Sequence, residues 1–169
     1  KSADRIASLA GYTSEELKGL PESVTSFGCG NPVALAGVSE GQTVLDLGSG
    51  SGLDLILAGK KVGPAGKVIG LDMTPEMIEV CRANLEKAGV TNAEVRQGEM
   101  EAMPVADAEV DWIISNCVIN LSPEKERVFA EAFRALKPGG QLMISDIVTK
   151  DLPDAIRNDI AAWVGCIAG

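Results

Sequence analysis

The 169-residue chain contains no histidine. That removes the commonest general base and the commonest metal ligand, so any chemistry must run on carboxylates, thiols, backbone groups or a cofactor. Positive charge is scarce: 15 Lys plus Arg stand against 24 Asp plus Glu, a formal net charge of −9. Nucleic acid and anionic membranes both need clustered positive charge, so neither is expected as a partner. No apolar run approaches the roughly 18 residues of a membrane-spanning helix, and no signal peptide is visible. Four cysteines are too few for a disulfide scaffold in a chain of this size, and they read as mostly reduced thiols in cytoplasm. The chain opens at Lys1 rather than Met, and a piece of a longer protein is expected. What remains is ordinary: 46% apolar residues and the length of one domain.

The pattern alternates strand and helix. Short apolar strands are predicted at Thr43–Leu47, Lys67–Leu71, Ala93–Gln97, Val110–Ser115 and Gln141–Ile147. Helices are predicted over Leu53–Val62, Pro75–Ala88, Pro123–Leu136 and Pro153–Val164, with Thr74 and Ser122 as caps and Pro138-Gly139-Gly140 as a stop. Apolar strands separated by helices of this length imply βαβ units, hence an α/β fold: a Rossmann-like, doubly wound, mostly parallel sheet with helices on both faces. Residues 1–40 read as an N-terminal cap of short helices, Ser2–Ala10 and Ser14–Gly19, followed by a Gly/Pro-rich loop. Residues 41–169 read as the cofactor-binding unit.

The sharpest motif is Val44-Leu45-Asp46-Leu47-Gly48-Ser49-Gly50-Ser51-Gly52, at a strand-to-helix turn. A dinucleotide fingerprint requires a small residue where Leu53 stands, and Asp46 would sit badly beside a pyrophosphate. Asp46 suits a cation. S-adenosylmethionine carries a sulfonium and an ammonium group and no phosphate, and glycines let its methionine part approach the backbone. A merely structural Gly-rich turn is the alternative. Asp72 ends the second strand 20 residues after Gly52, where an acidic residue can hold ribose hydroxyls. Met73 is placed to lie on an adenine face, or else is core filler; Glu99 and Met100 follow the third strand. Asn116 ends the fourth strand, beside the first, at the crevice where such sheets bind ligands. The cofactor-binding set is therefore Asp46, Gly48, Ser49, Gly50, Gly52, Asp72, Met73, Glu99, Met100 and Asn116.

That order of motifs, continued by Leu136-Lys137-Pro138-Gly139-Gly140, resembles the class I S-adenosylmethionine-dependent methyltransferases. Such enzymes end with two more strands, for seven in all, and this chain reads as stopping before them. Two Gly-flanked cysteine stretches, Ser26-Phe27-Gly28-Cys29-Gly30-Asn31-Pro32 and Gly165-Cys166-Ile167-Ala168-Gly169, are similar to those of the arsenite methyltransferases. So are Asp72-Met73-Thr74-Pro75-Glu76-Met77 and Ile114-Ser115-Asn116-Cys117-Val118-Ile119-Asn120-Leu121-Ser122-Pro123. The resemblance implies S-adenosylmethionine as methyl donor and trivalent arsenic, free or as a glutathione conjugate, as acceptor. It implies Cys29 and Cys166 as catalytic arsenic ligands, and glutathione or thioredoxin as thiol reductant.

Arsenic(III) is thiophilic and attacks with a lone pair that carries no proton, so a site without histidine is consistent. Cys81 shares a helix face with Met77 and Leu85 and reads as core. Cys117 reads as core packing at a strand end, with a place near the cofactor as the alternative. Trivalent arsenic prefers three sulfurs. The third is sought outside the chain or on a small thiol. Two other readings stay open: methyl transfer to carbon or oxygen of a small metabolite, and a thiol-based metalloid sensor without turnover.

Overall fold

Five segments pair side by side, and the three central ones, rich in Val, Ile and Leu, must hide both faces. The five are β1 (Thr43–Leu47), β2 (Lys67–Asp72), β3 (Ala93–Gln97), β4 (Val110–Asn116) and β5 (Leu136–Ser145). The computed structural model describes residues 7–25, 28–148 and 153. Among these, the sheet order is β3-β2-β1-β4-β5, and every neighbouring pair is parallel. The α-helices that lie wholly within the described residues are α1 (Ser14–Leu17), α2 (Pro32–Leu35), α3 (Leu53–Val62), α4 (Pro75–Lys87) and α5 (Lys125–Ala135). The winding reverses between β1 and β4. The crevice at the carboxyl ends of those two strands is where an open sheet of this kind binds ligands.

Strand alternation divides the core. Val44, Val68, Trp112 and Ile114 face a layer containing Leu55 and Ile56 of α3 and Ile78 and Cys81 of α4. Leu45, Leu47, Ile69 and Ile113 face the other way, onto Val128, Ala132 and Ala135 of α5. Helices thus cover both faces, as the alternation of elements requires. Ala7, Tyr12, Val33, Ala36 and Val38 join the first core, so the N-terminal stretch packs on the same face as α3.

Several local expectations are corrected. Thr74 stands at the N-terminus of α4, but its side chain makes no capping bond; its N–H donates to Asp72 Oδ1 instead. α5 starts at Lys125 rather than Pro123. Ser122 Oγ accepts from the Glu124 N–H one step before the first turn. The same helix stops at Ala135 because Leu136 already pairs with Val110. Leu136–Gly140 is therefore the start of β5 and not a stop after a helix. A register shift between Val110 and Trp112 absorbs Pro138, and Lys137 Nζ lies 2.8 Å from Asp111 Oδ2. β5 ends at Ser145, short of the expected Ile147. The stretch read as a loop up to Pro32 runs into helix α2. Asn31 accepts from the Ala34 N–H at 2.9 Å and Pro32 fills the first helical position, an N-terminal signature visible in the sequence. The helix expected over Pro153–Val164 lies, apart from Pro153, outside the described residues. Among the described residues, no helix is long and apolar enough to cross a membrane.

Candidate active site

β1 runs straight into the turn Gly48–Gly52. Gly48, Gly50 and Gly52 have φ of 66°, 50° and 91°. A side chain at Gly48 would be strained and would also strike Val118, 2.6 Å from an added Cβ. The turn is tied to β2: the Ser49 N–H donates to the Leu71 carbonyl at 3.0 Å, and the Gly50 N–H to Asp72 Oδ2 at 3.0 Å. With Thr74 on its other oxygen, the Asp72 carboxylate is fixed between the glycine turn and the start of α4.

A cavity of about 520 Å³ opens here, lined by Gly48, Asp72, Met73, Glu99 and Met100 among others. A smaller one of about 210 Å³ shares Gly48, Val118 and Leu121 with it and adds Asp46, Ser49, Gly50, Asp54, Asn116 and Cys117. Nine of the ten residues expected to bind a cofactor therefore line one of the two adjoining cavities. Gly52 lines neither. It begins α3 and packs against Cys81, where an added Cβ would lie 2.9 Å from the sulfur.

The lining is acidic. Asp72, Glu99, Glu101 and Glu124 face the larger space and Asp46 and Asp54 the smaller, and neither lining includes Lys or Arg. A pyrophosphate would meet only like charge, whereas a sulfonium or ammonium group would be attracted. Asp46 is 3% exposed. Burial, reinforced by the charges of Asp54 and Asp72, holds its pKa well above the usual carboxylate value. Asp54 is also raised by burial, opposed by hydrogen bonds from Tyr12 and Asn116. A bound cation would offset the penalty on Asp46. The donor set thus fits S-adenosylmethionine and rejects a dinucleotide.

At the mouth of the smaller cavity lies the loop carrying Cys29. Its flanking glycines are explained by close approach. A side chain at Gly28 would collide with Asn116, and one at Gly30 with Ser145. Asn116 does more than line the crevice. Its Oδ1 accepts from the N–H groups of Cys29 and Gly30 at 3.0 and 3.3 Å, and its Nδ2 donates to the Gly30 carbonyl at 2.7 Å.

The loop brings Cys29 to Cys117, and the two form a disulfide across 88 residues of sequence. The expectation of reduced thiols is thus met at Cys81 and not at this pair. Cys117 is buried, as a core residue would be, yet its sulfur belongs to the site. It has φ 56°, an uncommon value for a non-glycine residue that marks a constrained turn just past β4. Its position directly after Asn116, at the end of the strand beside β1, was the available signal. Asp146 places a carboxylate oxygen within 4.8 Å of both sulfurs. Cys166 lies outside the described residues. Cys81 is buried on α4 and its thiol is pushed up to about 12, chiefly by desolvation and then by the charge on Asp46.

The chain is similar to known proteins across nearly its whole length. It is 49% identical to an arsenite methyltransferase of Halobacterium salinarum, over 94% of this chain and 41% of that protein. It is 38% identical to the arsenite methyltransferase of Homo sapiens, over 92% of this chain and 44% of that one. Among solved structures, an arsenic(III) S-adenosylmethionine methyltransferase from Chlamydomonas reinhardtii superposes with a TM-score of 0.73 at 39% identity, covering 96% of this chain and 55% of that one. The chain thus spans about half the length of the relatives it matches. The family described as "Methyltransferase domain" matches residues 38–169. An acidic two-part crevice at the switch point of a parallel sheet, behind a glycine turn, is the site this family would need, and the chain belongs to the methyltransferase domain family.

Proposed function

We propose that this chain is the cofactor-binding and thiol-bearing part of an arsenite methyltransferase. The observation that carries the reading is the meeting of two features: an acidic cavity suited to a cationic methyl donor, and a cysteine pair at its mouth. S-adenosylmethionine, when bound, supplies an electrophilic methyl group. Asp46 and Asp54 balance cationic charge in the smaller cavity. Asp72 accepts from ribose hydroxyls, and Met73, Glu99 and Met100 bound the larger space where a purine fits. Residues 1–40 form a cap that carries Cys29, and residues 41–169 form the cofactor-binding unit.

Cys29 and Cys117 hold the substrate, trivalent arsenic, as thiolates, and Cys166 is the third sulfur of the set. Cys117, whose apolar neighbours are those of a core residue, thus supplies a sulfur donor from within the chain. Before arsenic binds, the Cys29–Cys117 bond must open. A dithiol reductant, or two molecules of a monothiol such as glutathione, delivers two electrons and two protons, leaves two free cysteines and departs as a disulfide. A cytosolic disulfide is usually transient and catalytic, which suits a cytoplasmic enzyme with a thiol reductant as partner. Neutral arsenous acid suits the acidic mouth better than a glutathione conjugate, whose carboxylates would meet like charge. No protein base is required, because the arsenic lone pair carries no proton. The residues align donor and acceptor and exclude water.

The test uses the full-length protein with methyl-labelled S-adenosylmethionine, arsenite and glutathione, followed by chromatographic separation of arsenic species with mass detection. Labelled methylarsenicals are expected. Cofactor binding without any methylarsenical would overturn the reading and leave another acceptor, or a sensor of metalloids, as the function.

A further inference from the structure

Tyr12 and Asp54 have no part in the chemistry described above beyond Asp54's charge, yet both are buried and bonded to each other and to Asn116 beside the cysteines. The Tyr12 hydroxyl donates to Asp54 Oδ1 at 2.6 Å. Asn116 Nδ2 stands 3.0 Å from Asp54 Oδ2 and 2.9 Å from the Tyr12 oxygen. Tyr12 is 3% exposed and Asp54 8%, so water does not substitute for these partners.

The cluster has a directional consequence. A primary amide can sit in its socket either way round, with oxygen and nitrogen exchanged. The ionised Asp54 accepts from Tyr12 on one oxygen and presents an acceptor on the other, and the Gly30 carbonyl is an acceptor too, so the nitrogen of Asn116 faces both. The amide oxygen is then turned toward the Cys29 loop, where it accepts from two backbone N–H groups. Reversed, Asn116 would set oxygen against carboxylate and NH₂ against N–H. Tyr12, in turn, holds the carboxylate through its other oxygen and has its own packing in the core that includes α3.

We infer that Tyr12 and Asp54 are positioning residues: acting through Asn116, they hold the Cys29 loop so that its sulfur stays within reach of Cys117. This rests on the proposed role of the cysteine pair as the acceptor site. It assigns the N-terminal segment a task at that site, through a residue that lines neither cavity.

The experiment measures how readily Cys29 and Cys117 pair, independently of methylation. The full-length protein and its Tyr12→Phe and Asp54→Asn variants are equilibrated in glutathione redox buffers, quenched in acid and alkylated. The fraction carrying the Cys29–Cys117 bond is then read by mass spectrometry. The effective concentration of one thiol at the other is expected to fall about tenfold in Asp54→Asn and about threefold to tenfold in Tyr12→Phe, the scale of one lost buried hydrogen bond. Wild-type pairing in both variants would overturn the inference. So would an equal fall in a Val33→Ala variant of matched thermal midpoint, since Val33 belongs to the same core and touches none of these bonds. If pairing falls as expected while no methylarsenical is ever formed, the inference stands and the proposed function fails. If arsenic is methylated while pairing is unmoved, the reverse holds.

Discussion

The two halves of the crevice are built in different ways. The wall formed by the glycine turn and Asp72 is local: β1, its turn, α3, β2 and the start of α4 follow one another within about thirty residues, from Thr43 to Pro75. Backbone N–H groups of the turn set the Asp72 carboxylate directly. The half around the cysteines is assembled from afar. Tyr12, Cys29, Asp54 and Asn116–Cys117 come from four separate stretches and meet through side-chain bonds and a disulfide. A contiguous site is held by the fold itself, whereas a dispersed one depends on each connector. Substitutions of the cysteines should therefore damage chemistry more than cofactor binding, and those at the glycine turn and Asp72 should weaken cofactor binding first.

The strongest test of that division is removal of a sulfur. Cys29→Ser, Cys117→Ser and Cys166→Ser are each expected to abolish arsenite methylation in the full-length protein while S-adenosylmethionine still binds, because exchanging sulfur for oxygen removes a thiolate ligand and leaves the carboxylates of the crevice in place. Retained methylation in any one of them, measured by arsenic speciation, would remove that sulfur from the site.

A smaller loss, on the other half, is expected from Asp46→Ala. It should weaken S-adenosylmethionine binding by about 1–3 kcal/mol, the scale of a lost charge-assisted interaction, with calorimetry as the measurement. The pH dependence sharpens this. Because the Asp46 pKa is raised in the folded state, its proton is held there above the ordinary value of 3.8. In the free protein this group's contribution to stability is full below 3.8 and is lost as pH rises through the raised value. A cation favours the ionised form, so cofactor affinity should rise with pH across that same window, with proton release on binding. Asp46→Asn should flatten the profile. An unchanged profile would mean that Asp46 does not face the cationic group.

The least effect is expected at Cys81. Its thiol, pushed up to about 12 and buried, should resist alkylation at pH 8 in the folded, reduced protein, while Cys29 is modified readily. Peptide mapping after a timed pulse of iodoacetamide distinguishes the two. Fast labelling of Cys81 would mean that α4 opens away from the glycine turn.

The legibility of the molecule followed the same division. Thr43–Leu47, the glycine turn and Leu53–Val62 stand in the structure as the sequence predicts them. Strand burial and a tight left-handed turn are consequences of neighbouring residue types. Asp72, at the carboxyl end of the next strand, was legible for the same reason. Errors arose where a distant partner competed with a local preference. Leu136–Gly140 carries helix-ending residues, but pairing with β4 drew it into a bulged strand. Asn116 was placed at the crevice correctly, yet its amide is engaged by a loop 86 residues away. Cys117 has the apolar neighbours of a core residue, and only the approach of Cys29 distinguishes it from Cys81.

Periodicity, glycine spacing and the acidic residues at strand ends were thus sufficient for the parallel sheet, its cofactor crevice and the sign of charge inside it. Each depends on interactions between residues close in the chain or on the alternation of a single strand. Which cysteine partners Cys29, which way the Asn116 amide turns, and that Tyr12 reaches the site at all were settled by packing. Those contacts join segments of unrelated local pattern, and their geometry exists only once the sheet has brought the ends of β1 and β4 together beneath the N-terminal loop.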